Sequence, residues 1–126
     1  MPIIAIPSKG SGGLNEVINP KFGRSDSITL VSIEDRNIKA VKIIPIYSAE
    51  AIGNLGIHIA EIIGKNNASD AIIRYIGHKA FQSLNAQNVK IFHAVDEGLT
   101  IKQYIDLFIQ GKLPILTEPN AHLINE

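Results

Sequence analysis

The segment Asn19-Pro20-Lys21-Phe22-Gly23-Arg24 combines residue types that can bind an anion. Glycine allows a backbone to approach a ligand closely, and Lys21 and Arg24 supply positive charge, with the arginine able to grip an anionic group in two places. A buried core has no need of this mixture. Short Gly/Pro clusters are, however, most often plain surface turns with solvated cations. The segment alone therefore predicts either an anion-binding turn or an ordinary one.

Three further segments are rich in exposed amides or charge. Gly53 and Gly56 stand at the expected start of a helix, where free N–H groups and the helix dipole favour an anion, although a simple glycine-rich helix entry fits equally well. Gly77 and Lys79 lie in a turn from a strand to a helix. The glycine-rich loop of residues 8–13 lacks the residue order of a P-loop, so it is either a weak anion cradle or a bare linker.

Two histidines are candidate metal ligands or acid–base groups. His78 follows one predicted strand and His93 closes the next, so we expect the two imidazoles to lie near each other at adjacent strand ends. Taken singly, each is more often a surface or hydrogen-bonded histidine.

The length and composition predict one domain. A chain of 126 residues with 45% apolar and 19% charged residues can bury a single core. The N-terminal residues lack the features of a signal peptide, and no apolar run is long enough to span a membrane. We therefore expect a soluble, cytoplasmic protein, with a domain over residues 1–113 and a loose C-terminal tail over 114–126.

Charge and cysteine content exclude several classes of function. Lysine plus arginine equals aspartate plus glutamate at 12 each, so no general field attracts nucleic acid or anionic lipid, and any anion site must be local. The chain has no cysteine. It therefore cannot use a disulfide, a thiolate nucleophile, a zinc ribbon or an iron–sulfur cluster held by its own thiolates.

Strand-like patterns dominate the first 45 residues. We predict strands over 3–6, 27–33 and 38–44, each rich in β-branched residues. The short polar turn at 34–37 predicts that the second and third strands form an antiparallel hairpin. The fold is therefore expected to begin with an antiparallel meander.

The remaining pattern alternates helices with strands. An apolar stripe at helical spacing predicts a helix over 53–64, and Thr100 can cap a last helix that stops at Gly111. Between them lie a strand over 71–75, a helix over 79–86 and a strand over 89–93. The order βββαβαβα predicts an α/β three-layer sandwich of ribonuclease-H-like type. Its mixed five-stranded sheet would combine the antiparallel meander with parallel β-α-β units.

Several motifs in order resemble those of the dinitrogenase iron–molybdenum cofactor biosynthesis family over about residues 2–113. Lys21-Phe22-Gly23-Arg24 stands where that family has a signature of the form HFGR, and residues 76–81 resemble its IGPKAF turn. A glycine-bearing segment opening an amphipathic helix corresponds to residues 53–61. This chain has Lys21 where the family often has histidine, and His78 where proline is usual.

The resemblance implies a non-catalytic domain that binds or carries an iron–sulfur or iron–molybdenum cluster or its precursor. The implied cofactor-binding residues are Lys21, Phe22, Gly23, Arg24, Gly53, Gly56, Gly77 and Lys79, and the candidate metal ligands are His78 and His93. A preformed cluster that brings its own sulfides could bind without cysteine. The expected partner is a metal-cluster donor or acceptor protein, with neither nucleic acid nor membrane, and the sequence leaves homodimer formation open.

Two other functions stay open. A metal-dependent nuclease on this fold needs carboxylates that converge on divalent metals, but the first strand has no acid and Asp70 lies at the entry of the fourth strand, the wrong end. A metal-free interaction or regulatory domain, pairing through an edge strand, is the other alternative.

Overall fold

A computed structural model describes residues 2–47 and 54–123, which build one sheet with helices on both faces. In chain order the elements are β1 (Ile3–Ser8), β2 (Ser27–Glu34), β3 (Asn37–Pro45), α1 (Leu55–Lys65), β4 (Asp70–Ile73), α2 (His78–Ala86), β5 (Lys90–His93) and α3 (Ile101–Ile109).

The sheet has the order β3-β2-β1-β4-β5. β1 pairs antiparallel with β2, and β2 with β3, whereas β1 and β4, and β4 and β5, are parallel. The predicted meander and parallel crossovers are therefore confirmed. β4 ends at Ile73, two residues earlier than predicted, because Tyr75 leaves the ladder and pairs with Lys21 instead.

Side chains alternate between two cores, one on each face of the sheet. On β1, Ala5 faces the core under α1 and α2, whereas Ile4 and Ile6 face the core under α3, as the period of two along a strand requires. All three are fully buried. The two cores make the molecule a three-layer α/β sandwich, consistent with the ribonuclease-H-like motif.

Local capping signals set the helix ends. Asn54 is the N-cap of α1, and its side chain accepts a hydrogen bond from the Ile57 N–H. Thr100 forms a capping box with Gln103 at the start of α3. Gly111 adopts a φ of 70° just after α3, as predicted. The longest described helix has only 11 residues. Within the described ranges, no helix combines the length and apolar character needed to cross a bilayer.

Helices α1 and α2 approach closely through small residues. A Cβ on Gly56 would lie 3.3 Å from the Ala80 Cβ, so the glycine permits this contact near the N-termini of both helices. At the other end, the Gln87 side chain packs over Gly64 and donates to the Ala60 carbonyl at 3.1 Å. This packing holds the N-termini of α1 and α2 side by side.

Replacing Gly64 by alanine is expected to destabilise the protein. The new Cβ would lie 1.6 Å from Gln87 Oε1, so the glutamine must move and lose its bonds to the Ala60 and Ser83 carbonyls. The loss of these two hydrogen bonds costs about 1 kcal/mol each. This outweighs the roughly 0.5–1 kcal/mol by which alanine stabilises a helix relative to glycine. Denaturant titration should therefore show a loss of about 1 kcal/mol.

The double variant Gly64→Ala/Gln87→Ala is the control for that change. Because the clash is absent without the Gln87 side chain, adding Gly64→Ala to Gln87→Ala should be neutral or stabilising. A Gly64→Ala variant more stable than the parent would contradict the assigned packing.

The prediction of a loose tail is wrong for residues 114–123. Ile115 pairs with Phe92, the His93 N–H donates to the Pro114 carbonyl at 2.8 Å, and Asn120 is only 4% exposed. The physical reason is that the outer edge of β5 carries unpaired backbone groups, which this segment satisfies. The domain boundary at residue 113 stays a prediction.

Candidate functional site

The turn that follows the first strand is built around a buried asparagine. Asn19 is 9% exposed, and its side chain donates to the Arg24 carbonyl at 2.9 Å and accepts the Lys21 N–H at 3.1 Å. Phe22, 1% exposed, anchors the turn in the core under α1 and α2. With both ends fixed, the turn presents Gly23 and Arg24 at the surface.

Backbone hydrogen bonds join this turn to the connection between β4 and α2. The Tyr75 N–H donates to the Pro20 carbonyl, and the Phe22 N–H donates to the Tyr75 carbonyl, both at 3.1 Å. The two segments therefore lie side by side, at the carboxyl ends of β1 and β4. Open α/β sheets bind ligands at this edge.

An open cleft in two adjoining halves occupies the edge, and we name it the cationic cleft. Its Arg24 half, about 570 Å³, is lined by Lys21, Phe22, Gly23, Arg24, Tyr75, Gly77 and Ala121. Its helix half, about 460 Å³, is lined by Phe22, Gly23, Asn54, Leu55, Gly56, Gly77, His78, Lys79 and Ala80. Phe22, Gly23 and Gly77 line both halves, so Arg24 and His78 stand on one continuous surface.

Two helices begin in the helix half. The N–H groups in the first turn of a helix have no intrahelical partner, and the helix dipole places partial positive charge there. At α2 the N-cap is Gly77, which offers no capping side chain, so the first amides of this helix stay available. At α1 the Asn54 side chain takes up only the Ile57 N–H. Both termini therefore favour an anion in the cleft.

Charged side chains strengthen the same preference. Lys21, Arg24 and Lys79 line the cleft, and Arg24 and Lys79 are exposed. Of the described lining residues, none is aspartate or glutamate. Since the whole chain has no net formal charge, the positive potential at this edge is local, as the composition required.

The glycines of the site serve different ends. A Cβ added to Gly23 or Gly77 would meet no atom within 4 Å, so both leave space in the cleft. Gly56 also lines the helix half, but its missing side chain is explained by the close approach to Ala80. Gly53 lies outside the described residues. Ligand contact by any of these glycines stays a prediction.

The two candidate histidines are placed differently. His78 lines the helix half, whereas His93 is not among the described residues that line the cleft. His93 is partly buried beside Arg74. Burial, and to a smaller degree the positive charge of Arg74, lower the pKa of His93 from 6.5, whereas a hydrogen bond to the Arg74 backbone acts to raise it. Ligation by either histidine stays a prediction. In residues 2–47 and 54–123, no three His, Asp or Glu side chains converge to hold a metal ion.

The lowered pKa of His93 makes stability depend weakly on pH. The folded imidazole resists protonation, so its contribution is complete above pH 6.5 and declines as the pH falls towards the lower folded pKa. Thermal unfolding should therefore occur at lower temperature at about pH 5.5 than at about pH 7.5, with a smaller difference in His93→Gln. Equal pH dependence in the parent and His93→Gln would contradict this assignment.

The glycine-rich loop of residues 8–13 is not an anion cradle. The amides of its three glycines are already bonded: Gly10 N–H to the Asp26 carboxylate at 2.9 Å, Gly12 N–H to the Lys9 carbonyl at 3.2 Å and Gly13 N–H to the Thr29 hydroxyl at 3.0 Å. Amides engaged in this way cannot also bind a ligand. The linker interpretation therefore holds.

The structure places the nuclease candidate Asp70 as the sequence predicted. Asp70 begins β4, at the edge opposite the cationic cleft, and its carboxylate accepts the Ser69 hydroxyl at 2.7 Å. The carboxylate cluster that divalent metals need for nuclease chemistry is not formed by the described residues.

Sequence reasoning missed part of the cleft. Tyr75 was assigned to a strand, yet it lines the Arg24 half, where Ala121 from the C-terminal segment also lies. Asn54 lines the helix half, and its position before an apolar helical stripe is a recognisable N-cap signal. No local pattern indicates Ala121.

Comparisons with known proteins agree with this architecture. A family model described as dinitrogenase iron-molybdenum cofactor matches residues 2–111. An uncharacterised protein of Methanocaldococcus jannaschii is 28% identical over 99 residues, which are 79% of this chain and 82% of that protein.

Two solved structures are similar over nearly their whole length. The apo form of the orange protein from Desulfovibrio gigas has a TM-score of 0.84 and 29% identity, covering 95% of this chain and 97% of that chain. A Thermotoga protein described as a NifB candidate has a TM-score of 0.78 and 28% identity, with the same coverage of 95% and 97%. With the family model matching almost the entire described chain, the protein belongs to the dinitrogenase iron-molybdenum cofactor family.

Proposed function

We propose that the protein binds and carries an anionic metal-cluster cofactor or its precursor, of iron–sulfur or iron–molybdenum type, and performs no catalysis on it. The observation that carries the proposal is the convergence of two helix N-termini with Arg24 and Lys79 on one cleft whose described lining contains no acid. Membership in a family described as dinitrogenase iron-molybdenum cofactor supports the same class of cargo.

The absence of cysteine from the chain limits how the cargo can be held. Iron–sulfur clusters fixed permanently in proteins are usually bound through cysteine thiolates. A cluster that arrives with its own sulfides can instead be bound by N–H groups and cations, which interact with its negative charge without displacing its ligands. We propose His78, which is exposed at the start of α2 and lines the helix half, as the residue that adds one nitrogen ligand.

The openness of the cleft suits transfer better than permanent storage. Arg24, Gly77, His78 and Lys79 are all exposed. Cargo held by electrostatic contacts at an open edge can leave without unfolding of the protein. The partner that fits is therefore a cluster donor or acceptor protein. The cytoplasmic location and homodimer formation stay predictions.

Anaerobic titration with purified iron–molybdenum cofactor, and separately with a synthetic thiolate-ligated iron–sulfur cluster, tests the proposal. We expect co-elution of metal with the protein and a change in the absorption spectrum of at least one probe. Binding should weaken as salt is added, because the contacts are between charges. If neither probe co-elutes or changes its spectrum, cluster binding is excluded. Equal thermal stability with and without cluster, together with a stable partner in pull-downs, would favour the metal-free interaction domain.

A further inference from the structure

The C-terminal segment contains a buried polar residue that the family match, which ends at residue 111, does not include. Asn120 is 4% exposed. Its Oδ1 accepts the Ile76 N–H at 2.9 Å, and its Nδ2 donates to the Arg74 carbonyl at 2.8 Å. The backbone N–H groups of Asn120 and Ala121 both donate to the Ile76 carbonyl at 3.1 Å. Four hydrogen bonds thus fix a three-residue stretch of backbone.

That stretch is the connection from β4 to α2, and the cleft depends on it. Tyr75 lies between the two bonded residues and lines the Arg24 half, while Gly77 follows them and is the N-cap of α2. On the other side, the same connection pairs with the Arg24-bearing turn through Tyr75. A displacement of residues 74–76 would therefore move the α2 N-terminus and the turn relative to each other.

We propose that Asn120 is a positioning residue of the cationic cleft and that the C-terminal segment is an integral part of the ligand site. The proposal rests on the proposed function for the identity of the ligand, an anionic metal cluster. Asn120 acts through the backbone of residues 74–76, and Ala121 completes the lining of the Arg24 half.

The chemistry of the side chain suits this role. A primary amide presents one acceptor and one donor, side by side, to a backbone N–H and a backbone carbonyl at once, and it does so without depending on pH. Alanine at this position would leave both groups of the β4–α2 connection without their buried partner. The loss should loosen the connection rather than change the charge of the cleft.

Binding of purified iron–molybdenum cofactor by the full chain is the first test. With Asn120→Ala, the affinity should fall by about tenfold, as is typical when a residue that orients a metal site is lost. Ile105→Val is the matched control: Ile105 is fully buried in the core under α3, so the change should lower the unfolding temperature and leave the affinity unchanged. Parental affinity in Asn120→Ala overturns the proposal.

Amide hydrogen exchange without cofactor separates this proposal from the proposed function. The Tyr75 and Phe22 amides bond to Pro20 and Tyr75, not to Asn120, yet both should exchange faster in Asn120→Ala and not in Ile105→Val. Asn120→Asp, whose ionised carboxylate keeps the acceptor and loses the donor, is the second variant should alanine prevent folding; measured well above the usual carboxyl pKa, it should show the same acceleration. Unchanged exchange at both amides overturns the proposal. If exchange is faster in Asn120→Ala but the parent protein binds no cluster, only the proposed function is overturned.

Discussion

Reversing the charges of Arg24 and Lys79 together is expected to reduce the affinity for an anionic cluster by about a hundredfold, because two attractive contacts become repulsive. A solvated unit charge contributes about 1 kcal/mol at contact distance in water, and salt reduces this to roughly 0.7 kcal/mol. Each reversal replaces one attraction by one repulsion, so the two together cost about 2.8 kcal/mol, which corresponds to about a hundredfold in affinity. Anaerobic titration of Arg24→Glu/Lys79→Glu with purified iron–molybdenum cofactor measures the loss. The loss should shrink as ionic strength rises, since both side chains are exposed.

A double variant of equal net charge provides the control. Arg36 lies in the β2–β3 turn, at the end of the sheet opposite the cleft, and Lys112 follows α3; both are exposed and neither is among the residues that line the cleft. Arg36→Glu/Lys112→Glu should bind the cofactor with nearly parental affinity. Equal losses in the two double variants would mean that overall charge, not the cleft, attracts the cluster.

The fold could be predicted because its signals are local. The strand predicted over 38–44 is observed as Asn37–Pro45, since β-branched residues and a short polar turn define the hairpin within a few positions. Thr100 and Gln103 form the predicted cap within a single turn of helix. The predicted end of β4 lies two residues beyond the observed end at Ile73, because Tyr75 is typical of strands in residue type but pairs with a distant turn.

The candidate site could be predicted only in part, because its assembly depends on contacts distant in sequence. The turn with Arg24 and the start of α2 follow from sheet topology, which places the ends of parallel strands at one edge. The contacts of Asn120 with Ile76 and Arg74 span 44 and 46 residues and leave no periodic pattern. His93 ends a strand as predicted, but adjacency of strands did not bring it into the lining of the cleft.

Filling the cleft at Gly23 should weaken binding without unfolding the protein. Gly23 lines both halves, and a Cβ there would meet no atom within 4 Å, so the side chain of Gly23→Leu can extend into the space that the cluster would occupy. Overlap with a bound group costs about 1–3 kcal/mol, which predicts a loss of affinity of about tenfold or more. Cofactor titration measures the affinity, and thermal unfolding should shift by only about 2 °C or less.

Gly64→Ala is the matched glycine substitution for this experiment. It should lower stability through the clash with Gln87, yet Gly64 is not among the residues lining the cleft, so the affinity should stay parental. The two variants thus separate binding from folding: Gly23→Leu changes the first and Gly64→Ala the second. Undiminished cofactor binding by a folded Gly23→Leu would place the cargo elsewhere on the molecule, since a leucine side chain and a metal cluster cannot occupy the same volume.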